Sequence, residues 1–161
     1  KKATSVSIPA TIKKNGITYK VTSVADSAFA NNKKLTKVTI GGNVKTLGKK
    51  AFYKNTKLKA VTLGKNITTI GDKAFYKCTS LKKVTIPSKV KKIGKQAFYG
   101  CSKLKTITIK TTKLTGKKIG SKAFGKISAK ATFKVPKKKL SAYKKVLKSK
   151  GIGKKTVIKK I

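Results

Sequence analysis

The chain contains no histidine, glutamate, arginine, methionine or tryptophan, and its only acids are Asp26 and Asp72. Serines and threonines abound, but no histidine or glutamate stands by to activate them. Nucleophilic and acid–base catalysis therefore lack a residue set, and no enzyme is expected. Two cysteines and two acids, without histidine, are too few for a protein-built metal centre. No cofactor is expected either: Gly116-Lys117-Lys118-Ile119-Gly120-Ser121-Lys122 is too short for a phosphate-binding loop and starts no long helix. No apolar run approaches the roughly 18 residues of a membrane helix, and none opens the chain as a signal segment, so membrane insertion is not expected. The lack of methionine leads us to expect a processed or trimmed chain.

What is present in excess is lysine. All 44 basic residues are lysine, and with two acids the net charge is 44 − 2 = +42. Such a field keeps a protein soluble and monomeric and concentrates polyanions around it. The lysines occupy strand-outward positions (Lys37, Lys83), turns (Lys45, Lys65, Lys91), helical starts (Lys50, Lys73, Lys95) and return loops (Lys54, Lys77, Lys103). A nucleic-acid site gathers its basic residues on one face and favours arginine for bidentate contacts. Here the charge surrounds the chain, so no specific nucleic acid is expected and only a diffuse attraction to polyanions remains.

The order of the residues is more informative than their kinds. Phe29, Phe52, Phe75 and Phe98 recur every 23 residues, as do Leu35, Leu58, Leu81 and Leu104, and Val38, Val61, Val84 and Ile107. A period in the range of about 20 to 50 residues marks a stacked solenoid. The step from Leu58 to Ser80 shows one coil. Leu58, Val61 and Leu63 point inward along a strand while Thr62 points outward. Gly64-Lys65-Asn66 turns the chain, and Ile67 and Ile70 anchor a second short extended side. Asp72 to Tyr76 reads as one helical turn burying Ala74 and Phe75, with Asp72 capping the free N–H groups of its own turn, as Asp26 does in its coil. The expected fold is an α/β solenoid: a right-handed stack of 23-residue coils with a parallel β-sheet on one side, short helical turns, and caps at both ends.

The whole of 1–161 is read as one domain. Residues 1–24 form an N-terminal cap whose Asn15-Gly16 predicts a two-residue hairpin between Thr11–Lys14 and Ile17–Val21. Residues 25–136 are the repeats. Residues 137–161 form a C-terminal cap: Leu140, Tyr143, Val146 and Leu147 share one helical face, Gly151 stops the helix, and Thr156–Ile161 is a closing strand.

The pattern Leu-x-x-Val-Thr-Ile-x-x-x-Val-x-x-Ile-Gly-x-x-Ala-Phe-Tyr-x-Cys is complete in Leu58–Cys78 and Leu81–Cys101 and nearly so in Leu35–Asn55. It resembles the BspA-type (Treponema-type) leucine-rich repeat. The resemblance implies a secreted or surface-attached bacterial protein used in adhesion and binding, usually as one module of a larger one, without family catalytic residues. The partners it implies are anionic cell-wall or host glycans, or host or bacterial surface proteins. The alternatives are a spacer with no ligand of its own and a non-specific nucleic-acid binder. The pattern is broken between Ile109 and Ile119 by three extra residues, and after Phe124 by Gly125 and Ile127.

Three columns are candidate sites, each with a structural reading beside it. Thr39, Thr62, Thr85 and Thr108, with Lys37 and Lys83, face outward from the main sheet and offer a flat polar binding surface, although threonine also suits any solvated strand. Tyr53, Tyr76 and Tyr99 could stack on sugars or bases, or pack between coils and shield the phenylalanines. Cys78 and Cys101, preceded in their column by Asn32 and Asn55, lie one coil apart. A spacing of about 4.8 Å permits a disulfide, whereas parallel side chains favour free buried thiols.

Overall fold

A computed structural model describes residues 4–161; residues 1–3 of the expected N-terminal cap lie outside the described residues. The strands are β1 (Ser5–Ile8), β2 (Thr11–Lys14), β3 (Ile17–Lys20), β4 (Ser23–Val24), β5 (Lys37–Ile40), β6 (Thr46–Leu47), β7 (Ala60–Thr62), β8 (Thr69–Ile70), β9 (Lys83–Ile86), β10 (Lys92–Ile93), β11 (Thr106–Ile109), β12 (Thr132–Val135) and β13 (Val157–Lys160), with one α-helix, α1 (Leu140–Lys148). Each coil gives one strand to a seven-stranded parallel sheet, β1-β5-β7-β9-β11-β12-β13, and four of them give a short strand to a second parallel sheet, β10-β8-β6-β4. The register follows the repeat, as in Val38↔Val61 and Leu47↔Ile70. This is the α/β solenoid that the 23-residue step predicts.

The core is a set of columns, since side chains one coil apart stack upon each other. Phe52, Phe75, Phe98 and Phe124 are fully buried, and from Phe29 to Phe124 the rings lie nearly parallel at 5.2–5.5 Å between centroids. Phe133 closes the row edge-on, at 89° and 5.1 Å from Phe124. That separation is close to the strand spacing of about 4.8 Å, so the backbone ladder sets the ring stacking.

The third side of the coil departs from expectation. No helical turn forms there. Gly71 and Ala74, and Lys73 and Tyr76, close three-residue turns (3.3 and 3.1 Å). Lys73 and Lys77 adopt φ of 54° and 53°, and Lys50, Lys54 and Gln96 behave likewise. These left-handed residues turn alternate N–H groups out of the coil. Lys73, Phe75 and Lys77 donate to the carbonyls of Lys95, Ala97 and Tyr99 in the next coil at 2.7–2.9 Å. Lys50, Phe52 and Lys54 do the same to Asp72, Ala74 and Tyr76. An intra-coil helix would leave these groups nothing to give a neighbour, and buried backbone donors need a partner. All of these bonds run from the earlier coil to the later one.

The acids follow suit. Asp26 Oδ1 accepts the Lys49 N–H at 2.7 Å and Asp72 Oδ1 accepts the Lys95 N–H at 2.8 Å, each 23 residues on. They cap the following coil, not their own turn, because the N–H groups of their own turns already have backbone partners, alternately in the next coil and within the turn.

At the ends, Asn15 and Gly16 take φ of 50° and 78°, the paired positive angles of a tight hairpin turn between β2 and β3. Helix α1 buries Tyr143 and Leu147 against the stack. Tyr143 Oη donates to the Thr111 carbonyl at 2.8 Å, and Thr111 Oγ1 donates to the Val90 carbonyl at 2.7 Å. The enlarged turn after Ile109 is thereby pinned between the helix and the preceding coil.

Candidate functional site

The register of the main sheet fixes which outward side chains are neighbours. One row runs Ser5, Lys37, Ala60, Lys83, Thr106, Thr132. The other holds Ser7, Thr39 and Thr62 on one half, and Thr85, Thr108, Lys134 and Lys159 on the other. The sheet thus brings Lys37, Thr39, Thr62, Lys83, Thr85 and Thr108 onto one face.

It does not bring the tyrosines there. Tyr53, Tyr76 and Tyr99 belong to the turn side, where they stack at 5.1 and 5.3 Å with interplanar angles of 12° and 9°. The Lys50 and Lys54 ammonium groups lie 5.6 and 5.3 Å from the Tyr53 centroid, and Lys126 lies 5.8 Å from that of Tyr99. The far face of Tyr99 meets Gly125, where an added Cβ would approach the ring to 2.7 Å. The ring faces are taken up by one another, by lysines and by Gly125, an arrangement of packing.

Cys78 and Cys101 are free and buried, and each thiol donates to a carbonyl of the preceding coil, Phe52 at 3.2 Å and Phe75 at 3.1 Å. Burial pushes the Cys78 thiol up to about 12 and that of Cys101 well above its ordinary value. Such thiols are inert at neutral pH. In the same column Asn55 Oδ1 accepts the Asn32 N–H at 2.8 Å, while the buried Asn55 Nδ2 has no hydrogen-bond partner.

One feature of the sheet face has no counterpart in the repeat pattern. β1 pairs with β5 at four positions, β5 with β7 at three and β9 with β11 at four, but β7 pairs with β9 only at Ala60↔Lys83. Past that rung the two strands part and leave a cleft of about 470 Å³. Thr62, Lys83 and Thr85 line it, and so do Leu63, Lys65, Pro87, Ser88 and Lys110, which the sequence pattern did not single out. Pro87, just past β9, has no N–H to give the Leu63 carbonyl, whereas Gly41 and Lys110 in the same column donate to Ile8 and Ile86 at 2.8 and 2.9 Å. Pro136 holds that place after β12, where β11 and β12 still pair at three positions, so the proline alone does not open the sheet.

Residues 22–151 match the BspA type leucine-rich repeat region, in six copies. The chain belongs to the BspA-type leucine-rich repeat family. A leucine-rich repeat protein from Bacteroides capillosus is similar at 33% identity, with a TM-score of 0.61 over 68% of this chain and 78% of that one. The leucine-rich repeat protein of T. pallidum shares the fold at 24% identity and a TM-score of 0.74, over 99% of this chain and 74% of its own. The pneumococcal vaccine antigen PcpA shares it at 23% identity and a TM-score of 0.70, over 99% of this chain but 42% of PcpA. No curated protein matches by sequence. The β7–β9 opening lies between two coils that both carry the complete BspA-type pattern.

Proposed function

We propose that this BspA-type chain is a non-enzymatic binding module of a bacterial surface or secreted protein, which holds anionic glycans of the cell wall or host through its lysine-rich exterior. The observation that carries the reading is the separation of charges. Both carboxylates sit on the turn side, bonded to backbone N–H groups, while Lys37, Lys83, Lys134 and Lys159 project from the sheet face without a neighbouring acid. Similarity to a vaccine antigen, a molecule exposed to the host, agrees with a surface location. A rigid stack with continuous ladders presents such charges at fixed spacing, which reduces the ordering cost of binding a polymer.

The test is retention of the chain on heparin, polyglucuronate and polyphosphate resins across a salt series. Strong retention at low salt that falls steeply as salt rises supports the reading, because counterion release governs such contacts. Passage straight through all three resins at low salt overturns it. Equal, interchangeable binding to every polyanion favours the spacer reading, in which the lysines serve solubility alone.

A further inference from the structure

The cleft between β7 and β9 is an opening in one wall of an otherwise closed stack. At the same coil boundary the second sheet stays paired, Thr69↔Lys92 and Ile70↔Ile93, and the turn side keeps its bonds from Lys73, Phe75 and Lys77. Only the main sheet parts. Its effect on the core is local. Val61 and Leu63 are half-buried, whereas the equivalent Val38, Ile40, Val84 and Ile86 are 0–3% exposed. The opening thus lays aliphatic side chains bare at the bottom of a polar, cationic face.

Three kinds of group meet there. The floor is aliphatic, formed by Val61, Leu63 and Val84. Thr62, Thr85 and Ser88 add hydroxyl-bearing side chains to the lining. Lys65, Lys83 and Lys110 add cationic ones. Backbone groups add to these. β-pairing stops at Ala60↔Lys83, so the Thr85 N–H and the Val61 and Leu63 carbonyls, which ladder alternation turns toward the gap, have no strand partner. Unpaired backbone groups beside apolar surface form a site with both recognition and desolvation to offer.

The chemistry narrows the occupant. An extra peptide strand would need twice the strand spacing, about 9.6 Å, and the intact second sheet and turns hold these two coils too close for that. A nucleobase calls for an aromatic platform, and the tyrosines lie on another side of the coil. A sugar ring suits the aliphatic floor with its C–H face, the hydroxyls and free backbone groups with its own hydroxyls, and the lysines with an acidic substituent. We propose that the β7–β9 cleft binds a single acidic sugar residue of a glycan chain, recognised by its pyranose ring together with a carboxylate or sulfate. The proposal rests on the reading of the chain as a binder of anionic glycans and gives that reading a specific seat.

The experiment is an amide chemical-shift titration of the isotope-labelled full chain at physiological salt, with methyl glucuronide, N-acetylglucosamine 6-sulfate, neutral methyl glucoside and sodium acetate as probes. The first two report the carboxylate and sulfate sources separately. Saturating shifts centred on Thr62, Thr85 and Ser88 are expected with at least one acidic sugar, with affinity at least tenfold weaker for the neutral sugar and for acetate. Thr85→Val, a solvent-facing change in a strand, should weaken the acidic-sugar interaction at least fivefold. Shifts spread evenly over the lysines, or unaltered by Thr85→Val, overturn the cleft as a site. Those results with heparin retention intact leave the broader function standing, whereas loss of heparin retention removes that function itself.

Discussion

The Asp72 carboxylate receives the backbone N–H of Lys95, 23 residues away, at 2.8 Å, and Asp26 does the same for Lys49. Each acid therefore ties one coil to the next, and a chain with only two acids uses both in this way. Asp72→Ala should cost about 1 kcal/mol, the usual worth of such a backbone cap. Urea melts give the loss, and hydrogen exchange should quicken at the Lys95 amide. Unchanged exchange there would show that the bond does not hold the coils.

Beside this bond stands Gly94, where an added Cβ would lie 2.5 Å from the Asp72 nitrogen and 2.6 Å from the Gly71 carbonyl carbon. Backbone cannot step aside as a side chain can. Gly94→Ala should destabilise by roughly 2–3 kcal/mol. Adding Asp72→Ala to it should not restore stability, since the collision with the backbone persists. Recovery in the double variant would place the conflict at the carboxylate instead.

The phenylalanine row predicts a gradient. Phe75 is sandwiched between Phe52 and Phe98 and fully buried, whereas Phe29 begins the row and is only partly covered. Phe75→Ala should cost about 3–5 kcal/mol and Phe29→Ala clearly less. Denaturant titration of the two variants compares them directly, and equal losses would contradict the packing described.

Tyr143 holds the C-terminal helix to the enlarged turn through its hydroxyl on the Thr111 carbonyl. In Tyr143→Phe that buried carbonyl loses its donor, at a cost of about 1–3 kcal/mol. Exchange should rise first in α1 and in residues 111–118, before the central coils respond. Uniform loosening of all coils would argue that the helix carries no such local role.

The thiols predict a pH dependence. The folded Cys78 group is raised from 9.0 to about 12 by burial, so the folded chain retains a proton that the unfolded chain releases. The stabilisation from keeping it neutral is complete below pH 9 and declines as the pH climbs toward 12. The stability advantage of the native chain over a Cys78→Ala variant should therefore shrink as the pH rises from 9 toward 12 in urea melts, a comparison that cancels the shared titration of the lysines. Thiol reagents should find two groups after unfolding and react slowly before it.

The solenoid could be read from the sequence because inward columns must be apolar at a fixed step, and Leu58, Val61, Phe75 and their equivalents declare that step. The Asn15-Gly16 turn and the face of α1 were legible for similar local reasons. The turn side was not. Lys73 and Lys77 have no helix-breaking signature, and their left-handed backbone is imposed by the hydrogen-bond demand of the next coil, a property of the stack. The thiols' free state followed from their parallel alignment. The β7–β9 cleft was hidden because the inward and outward residues around it obey the repeat, and proline in the column of Pro87 recurs at Pro136 beside a sheet that stays paired.

The turn-side bonds between coils share one direction. In the strands, N–H groups point toward both neighbouring coils, but on this side Ser27, Phe29 and Asn31, then Lys50, Phe52 and Lys54, and so on through Gln96, Phe98 and Gly100, all donate toward the C-terminal end. Aligned peptide dipoles add, as they do along a helix axis. The stack is thus polarised along its length, with free carbonyls and partial negative charge at the first coil and partial positive charge at the last, beneath α1. A molecule whose side-chain charge is nearly all of one sign still has a head and a tail, written in its backbone.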